Sequence, residues 1–326
     1  MATFLTTRRM SRELAARVEA SVRGRRVTPA SRLQPRSRAG LRLAALLLLI
    51  TAVLGVFSVR RRALEELDTE RRGLLERVRR ESASIGERER RIVTRTRGWL
   101  ERLSGAYAGD WVADELAEPK AFSSLARRRM VYVRVPLESS QSEGAFREHV
   151  AASFRDAFVL CLLEPPSSRS ERALLGRARA AHAGARVADV ARLHAALLAL
   201  PLLDPGWQER VLAADQRELR QLSRAFERAP LEEAKRAARA ELLLVALDEP
   251  APAGAPAELD GERAHDVRVG LVELASDRLL LRLRRRVDPA WLSQDTRATY
   301  ASGVDSCALA LDVRSAVGAV ARASDG

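Results

Sequence analysis

Four histidines are the side chains in this sequence best suited to proton transfer or metal binding: His149, His182, His194 and His265. No two of them have the spacing of a metal-binding motif such as HExxH. His182 and His194 are twelve residues apart, which places them about 120° apart around an ideal helix, so they would not face one ligand. The sequence therefore predicts no metal site and no cofactor.

The nearest pattern to an acid–base cluster is His149 beside Glu148, with Asp156 two helical turns further on. Histidine and a carboxylate can exchange a proton near neutral pH. A solvated helix face explains the same pattern and is the favoured interpretation. The chain also contains no GxSxG, Walker or GxGxxG motif, so no catalytic residue is predicted.

The two cysteines, Cys161 and Cys307, are far apart and have no CxxC spacing, so neither a metal site nor a redox motif is indicated. Outside the cytoplasm they could form a disulfide. Cys161 also lies in the apolar run Phe158–Leu163, where a buried free cysteine would behave as a small hydrophobic residue. The sequence leaves both alternatives open.

Two arginine clusters in the C-terminal part could bind an anionic ligand or polymer. The first is Arg127–Arg129. The second is Arg282, Arg284 and Arg286, which alternate with leucines along a predicted strand and should therefore share one face. Three aligned charges concentrate electrostatic potential, so the second cluster is the candidate surface for an anionic partner.

The net charge of +13 is concentrated at the N-terminus, because residues 1–62 contain fourteen arginines and only two glutamates. Residues 63–326 carry 42 basic and 41 acidic groups, a net charge of +1. A nucleic-acid-binding domain normally has a strongly basic face. The balance therefore predicts no nucleic-acid partner, and it suggests anionic lipid headgroups as the partner of the basic N-terminus.

The stretch Leu41–Val59 is the most hydrophobic in the chain, and residues 43–59 carry no charge. It predicts a transmembrane helix, with the lipid bilayer as its partner. The run ends in Arg60–Arg62 rather than at a small-residue cleavage site, which favours an uncleaved signal-anchor. Ten arginines precede Gly40, so we expect the N-terminus to stay inside the cell.

Two segments flank this stretch. Residues 1–40 form a basic tail, in which Leu5, Met10, Leu14 and Val18 have helical spacing. Residues 60–104 show apolar positions at intervals of seven, which predicts a helical stalk with coiled-coil character over its first heptads. Whether this stalk forms a homodimer or packs on its own domain is left open.

Residues 105–326 read as a mixed α/β domain. Arg129–Val135 alternates as a strand, Glu143–Phe154 as an amphipathic helix, and Ala157–Leu163 as a buried strand. The default arrangement for such a unit is a parallel strand pair.

Residues 171–240 are predicted to be helical, and Trp207, Val211, Leu219, Leu222 and Phe226 form one core-facing side. Glu241–Leu247 fits either a helix end or a strand. A β-hairpin is predicted over residues 266–287, with Leu279, Leu281 and Leu283 facing the core.

The predicted fold class is thus a single-pass membrane helix and helical stalk, followed by an α+β-like domain with a small sheet. This layout resembles bitopic assembly proteins of bacterial envelope machines, a likeness with no motif behind it. The implied location is the bacterial inner membrane, with the N-terminus cytoplasmic and the large domain extracytoplasmic. The predicted function is that of a structural or interaction protein that binds a protein or envelope partner. A membrane-tethered hydrolase and a signal relay through the basic tail are the alternatives.

Overall fold

The computed structural model describes residues 38–118, 120–153, 156–185, 189–252 and 264–324. The chain divides into two units, Met1–Glu66 and Leu67–Gly326. The predicted basic tail, residues 1–40, lies outside the described residues up to position 37, and so does its proposed helix.

The structure contradicts the predicted transmembrane helix. The apolar stretch Leu41–Val59 is part of the longer helix α1 (Arg38–Ala83), but no helix among the described residues is long and apolar enough to cross a membrane. Only seventeen consecutive residues of α1 are free of charge, and they would span about 25 Å, against about 30 Å for a hydrocarbon core. The predictions of a single-pass membrane protein and of a signal-anchor are therefore wrong.

Twelve further helices are described in the second unit, and most of them are short. They are α2 (Glu87–Arg90), α3 (Ile92–Ser104), α4 (Asp114–Ala117), α5 (Ala121–Leu125), α6 (Glu143–Ser153), α7 (Phe158–Leu163), α8 (Glu171–His182), α9 (Leu193–Ala199), α10 (Pro205–Ala213), α11 (Gln216–Arg228), α12 (Leu231–Ala238) and α13 (Gln294–Ser324). Short 3₁₀ turns cover Leu137–Gln141, Leu200–Leu203 and Pro289–Trp291.

Six described strands form one mixed sheet in the order β1-β6-β5-β4-β2-β3. They are β1 (Trp111–Val112), β2 (Met130–Pro136), β3 (Val190–Ala191), β4 (Leu242–Asp248), β5 (His265–Glu273) and β6 (Arg278–Val287). β2 pairs in parallel with β3 and β4, whereas β4, β5, β6 and β1 pair antiparallel. The described fold is a six-stranded mixed sheet with many helices, which corrects the predicted membrane helix, stalk and small sheet.

The sheet separates two hydrophobic cores. Leu242, Leu244 and Ala246 of β4 point into one core, and the intervening Leu243 and Val245 point into the other. A strand that is covered on both faces must be apolar at every position, and the first six residues of β4 are all buried. This burial resolves the ambiguity of Glu241–Leu247 in favour of a strand.

The first core lies between the sheet and α4, α5, α7, α8 and α13, whereas the second lies between the sheet and α3, α6 and α9 to α12. The end of α1 also enters the second core, through the buried Leu74, Leu75 and Val78. Trp99 and Leu100 of α3 do the same. Residues 67–104, predicted as part of a stalk, thus pack on their own domain, which is one of the two alternatives that the sequence left open.

The predicted buried strand Ala157–Leu163 is wrong, because Phe158–Leu163 forms the helix α7. All six of its residues are buried, so a helix enclosed on every side produces the same unbroken apolar run as a central strand. The carboxylate of Asp156 accepts a hydrogen bond from the Phe158 amide at 3.0 Å and so satisfies a free backbone donor at the start of the helix. The parallel neighbours of β2 are β3 and β4, which lie much further along the chain.

The predicted hairpin is confirmed as β5 and β6, with Asp277 in the left-handed region at φ 54° in the turn. A register shift between Leu271 and Val272 changes the expected alternation. Leu281 and Leu283 enter the first core as predicted, together with Leu280. Leu279 packs against the second core instead.

Cys161 of α7 and Cys307 of α13 are joined by a disulfide, with Cα atoms 5.2 Å apart. Both residues are fully buried in the first core. The bond links the last helix to a helix 146 residues earlier, on the same side of the sheet. It therefore holds α13 over the face that carries the charged residues described below.

Candidate interaction surfaces

The predicted anionic-partner surface lies on β6, on the side of the sheet away from Leu281 and Leu283. The Arg282 guanidinium donates to the Gly109 carbonyl oxygen at 2.8 Å. Arg284 forms ion pairs with Glu249 and, at 3.0 Å, with Asp266. Arg286 is exposed and shows no ion pair or hydrogen bond within the described ranges.

These arginines hold the loop between α3 and β1 against the sheet. The Asp110 carboxylate accepts from the Arg284 amide at 3.0 Å and pairs with the Arg285 guanidinium at 2.7 Å. The Tyr107 ring lies under the Arg284 guanidinium carbon, 5.9 Å from the ring centroid. Most arginines on this predicted binding face of β6 are therefore paired with groups of the same chain.

The other predicted basic cluster is also largely paired. Arg128 binds Glu273 at 2.9 Å and Glu241 at 3.2 Å, and Arg129 binds Asp189 at 2.9 Å. These pairs connect the residues just before β2 to Glu241 before β4, to Glu273 of β5 and to Asp189 before β3. Arg128 and Arg129 are therefore engaged within the chain.

A buried charged cluster lies at the carboxyl ends of β2 and β4. The Arg134 guanidinium binds the Asp248 carboxylate through two nitrogens, with Nη2 to Oδ1 at 2.7 Å and Nε to Oδ2 at 3.0 Å. It also approaches Asp156 at 3.6 Å and donates to the Ser306 hydroxyl of α13. His265 Nε2 lies 3.1 Å from Asp248 Oδ1.

The charges of this cluster stabilise one another. Burial alone would raise the pKa of Asp248, but the Arg134 charge and the hydrogen bonds from His265 and Arg134 lower it to about 2. Burial likewise opposes the charge of Arg134, yet Asp248 and Asp156 raise its pKa well above the usual value. Burial and the adjacent Asp156 raise the pKa of Tyr132, whose hydroxyl donates to Asp156 at 2.5 Å. All of these interactions favour a fixed arrangement.

The cluster places a histidine next to a carboxylate, as the hydrolase alternative requires, but in a closed environment. His265 is 7% exposed, and Arg134 fills the space between Asp248 and Asp156. A cavity of about 20 Å³ beside the cluster is lined by Tyr132, Ser153 and Asp156, and His265 is not among its lining residues. That volume suffices for a single water molecule.

The remaining histidines stay apart. His149 is on α6, and the nearby Asp156 binds Tyr132 rather than this histidine. His182 ends α8, and His194 lies on α9. Within the part of the chain that the structure describes, no three or more His, Cys, Asp or Glu side chains group as metal ligands.

The helix α11 carries a row of arginines that the sequence reasoning did not single out. Asp215 caps this helix by accepting from the Glu218 amide at 2.8 Å. The buried Leu219, Leu222 and Phe226 fix its inner side, and the Phe226 ring stacks on Trp207 with centroids 5.9 Å apart. The opposite side is therefore held facing outward.

We call this outward side the α11 arginine face. It consists of Arg217, Arg220, Arg224 and Arg228, all of which are exposed. The spacings of three, four and four residues place them within an arc of about 80°. None of the four forms an ion pair or hydrogen bond with any other described residue.

Sequence reasoning missed this face although its signal was present. The same helical spacing that predicted the core side from Leu219, Leu222 and Phe226 places the four arginines on the opposite side. In a chain with 56 basic residues, four arginines in one segment do not stand out. The structure shows that these four combine one shared helix face with the absence of ion pairs within the described ranges, whereas Arg128 and Arg284 are paired.

No protein-family model, curated protein or solved structure matches this chain.

Proposed function

We propose that this protein is an interaction protein that docks a negatively charged protein partner through the α11 arginine face. The observation that supports this proposal is the row of four exposed arginines, none of which forms an ion pair or hydrogen bond among the described residues. The two basic clusters predicted in the C-terminal part are largely neutralised by their own chain, as in the pairs of Arg128 with Glu273 and of Arg284 with Glu249. An unpaired row is free to bind charges from another molecule.

The disulfide supports an oxidising compartment for the domain, because buried disulfides persist mainly outside the reducing cytosol. A partner of the same compartment would then meet the α11 arginine face after export. Free-thiol labelling of the unfolded protein, without reductant, checks this. Two labelled cysteines in protein isolated from its native cells would contradict it.

The docking proposal is tested with the full chain and a fluorescently labelled poly-glutamate peptide as the probe. Replacing Arg217, Arg220, Arg224 and Arg228 by glutamine should weaken binding by about tenfold or more, since each exposed ion pair contributes roughly 0.2–1 kcal/mol. Fluorescence anisotropy at low salt measures the change. Raising the salt concentration should weaken binding to the unmodified protein.

The matched control is a second variant with the same change in net charge. It replaces Arg127, Arg147, Arg172 and Arg286, which are exposed, show no pairing within the described ranges and are scattered over the surface. Binding by this variant should stay within about threefold of the unmodified protein. Equal losses in both variants would show a nonspecific charge effect and contradict the proposal.

A further inference from the structure

The α11 arginine face is a row of charges along one side of the helix. Arg217 and Arg228 are eleven residues apart, so the line is about 16 Å long. Its neighbouring members are separated by three or four residues, which corresponds to about 5–6 Å along the helix surface. A ligand that pairs with all four must present negative charges at a similar spacing along one line.

The two carboxylates that flank this line are engaged by other helices. Glu218 lies 3.6 Å from the Arg210 guanidinium of α10, and Glu227 lies 3.4 Å from that of Arg77 in α1. Glu227 also accepts from the Ser223 hydroxyl at 3.0 Å. Both carboxylates are thus engaged by residues outside the row, and Glu227 also interacts electrostatically with Arg224 of the row.

The arrangement is unfavourable for the free helix. Arg220 and Arg224, and also Arg224 and Arg228, are like-charged pairs at i and i+4, which repel one another. The helix keeps this row because Leu219, Leu222 and Phe226 are buried and the Asp215 cap holds its first turn. An anionic partner would remove the repulsion on binding.

The rest of the exposed helix surface helps to identify the partner. The exposed neighbours of the arginines include Gln216, Gln221 and Ala225, and the helix exposes no aromatic side chain for stacking on a base. It also presents no large apolar side chain for insertion among lipids. Residues 63–326 have a net charge of only +1, so a general attraction for polyanions is weak.

We infer that the α11 arginine face binds one acidic helix of a partner protein, lying along α11 with its carboxylates spaced three and four residues apart. Side chains on one side of a helix recur every 5–6 Å, which is the spacing of the arginines themselves. This inference rests on the proposed function, because it specifies the partner of the same surface.

The test compares two helical peptides of identical composition by fluorescence anisotropy with the full chain. One carries four glutamates at spacings of three, four and four residues, and the other distributes them around the helix. The first should bind about tenfold more tightly than the second, because only the first can pair all four charges at once. A labelled oligothymidylate and vesicles of phosphatidylcholine with phosphatidylserine are the two further probes.

A charge-swapped pair provides the specific control. The variant with all four arginines changed to glutamate should lose binding to the glutamate peptide and should bind the matching lysine peptide. Because these positions are exposed, the fold should be retained, which circular dichroism checks. Restored binding by the swapped pair would show direct pairing along the line.

The possible failures are distinguishable. If both glutamate peptides bind equally but the glutamine variant binds neither, the docking surface stands and the single-helix partner is wrong. If oligothymidylate or the vesicles bind more tightly than the one-sided peptide, the partner class is wrong. If neither peptide binds, the proposed function fails together with this inference.

Discussion

Arginines occupy two opposite environments in this domain. Arg134 has a side chain only 14% exposed and contacts two carboxylates and a hydroxyl from three other segments. The four arginines of the α11 arginine face are exposed and contact no carboxylate among the described residues. The charge of Arg134 joins distant segments of the fold, whereas the charges of the α11 arginine face are available to bind another molecule.

The groups that contact an arginine, rather than its residue type or its clustering in the sequence, indicate whether its charge stabilises the fold or is available for binding. Arg282 and Arg284 were the sequence-based candidates for an anionic partner, yet they are bound to the Gly109 carbonyl and to Glu249. Their alternation along β6 resembles a binding face as closely as the spacing of the α11 arginine face does. Only the neighbouring segments distinguish the two.

Removing the buried charge should have the largest effect. Arg134→Met leaves Asp248 and Asp156 buried without their cation, and we expect the free energy of unfolding to fall by about 3–5 kcal/mol. Urea denaturation followed by circular dichroism measures this loss. Arg286→Met is the control and should change stability by less than about 0.5 kcal/mol, since Arg286 is exposed.

A double variant sharpens this result. Arg134→Met combined with Asp248→Asn removes both members of the closest pair, so it should recover part of the stability lost by the single change. A loss from Arg134→Met no larger than that from Arg286→Met would show that the cluster does not hold the fold. The contrast with the α11 arginine face would then be unfounded.

An intermediate effect is expected from pH. The folded-state pKa of Asp248 is lowered to about 2, so its contribution is present above the unfolded pKa near 4. This contribution is lost as the pH falls through about 2, and it amounts to about 2 kcal/mol. Denaturation midpoints of Asp248→Asn should therefore depend less on pH between about 4 and 2 than those of the unmodified protein.

The quantity to compare is the change of the denaturation midpoint per pH unit, because Asp248→Asn also changes stability at every pH. Arg134 and His265 face Asp248 directly, and Asp156 lies across Arg134. Equal slopes for the two proteins would show that Asp248 does not lose this stabilising charge on acidification. The Arg134 cluster would then be less tightly coupled than its geometry indicates.

The smallest effect should have the opposite sign. Arg220→Gln together with Arg224→Gln removes like-charged pairs from α11, and we expect a gain of about 0.5 kcal/mol at low salt. The gain should vanish at high salt, where exposed charges are screened. The control pair Arg147→Gln and Arg172→Gln should show no such gain, and a destabilised double variant of α11 would disprove the repulsion.

The hairpin is the part of the sheet that could be predicted well, because its information is local. Alternating residues in two adjacent segments and a short turn define β5 and β6. The bulge at Leu271 and Val272 was not predictable, since it depends on how Leu279 and Leu280 divide between two cores. The core side of α10 and α11 was likewise visible from helical spacing.

Longer-range features were predicted poorly. Phe158–Leu163 reads equally well as a strand or a helix, and its surroundings select the helix. The heptad pattern of residues 60–104 fits a coiled coil, but Leu74, Val78 and Trp99 meet the domain's own sheet layer. The apolar run Leu41–Val59 was assigned to a membrane on hydrophobicity alone, and its helix proved too short in its apolar part.

Local spacing thus determined the hairpin strands, the inner side of α11 and the α11 arginine face, because alternate residues share one face of a strand and residues three and four apart share one side of a helix. Tertiary structure alone decided which arginines remain unpaired. Arg134 meets an aspartate 114 residues later in the chain, and Arg284 meets a glutamate 35 residues earlier. No local pattern encodes such encounters, since they depend on how the sheet brings distant segments together.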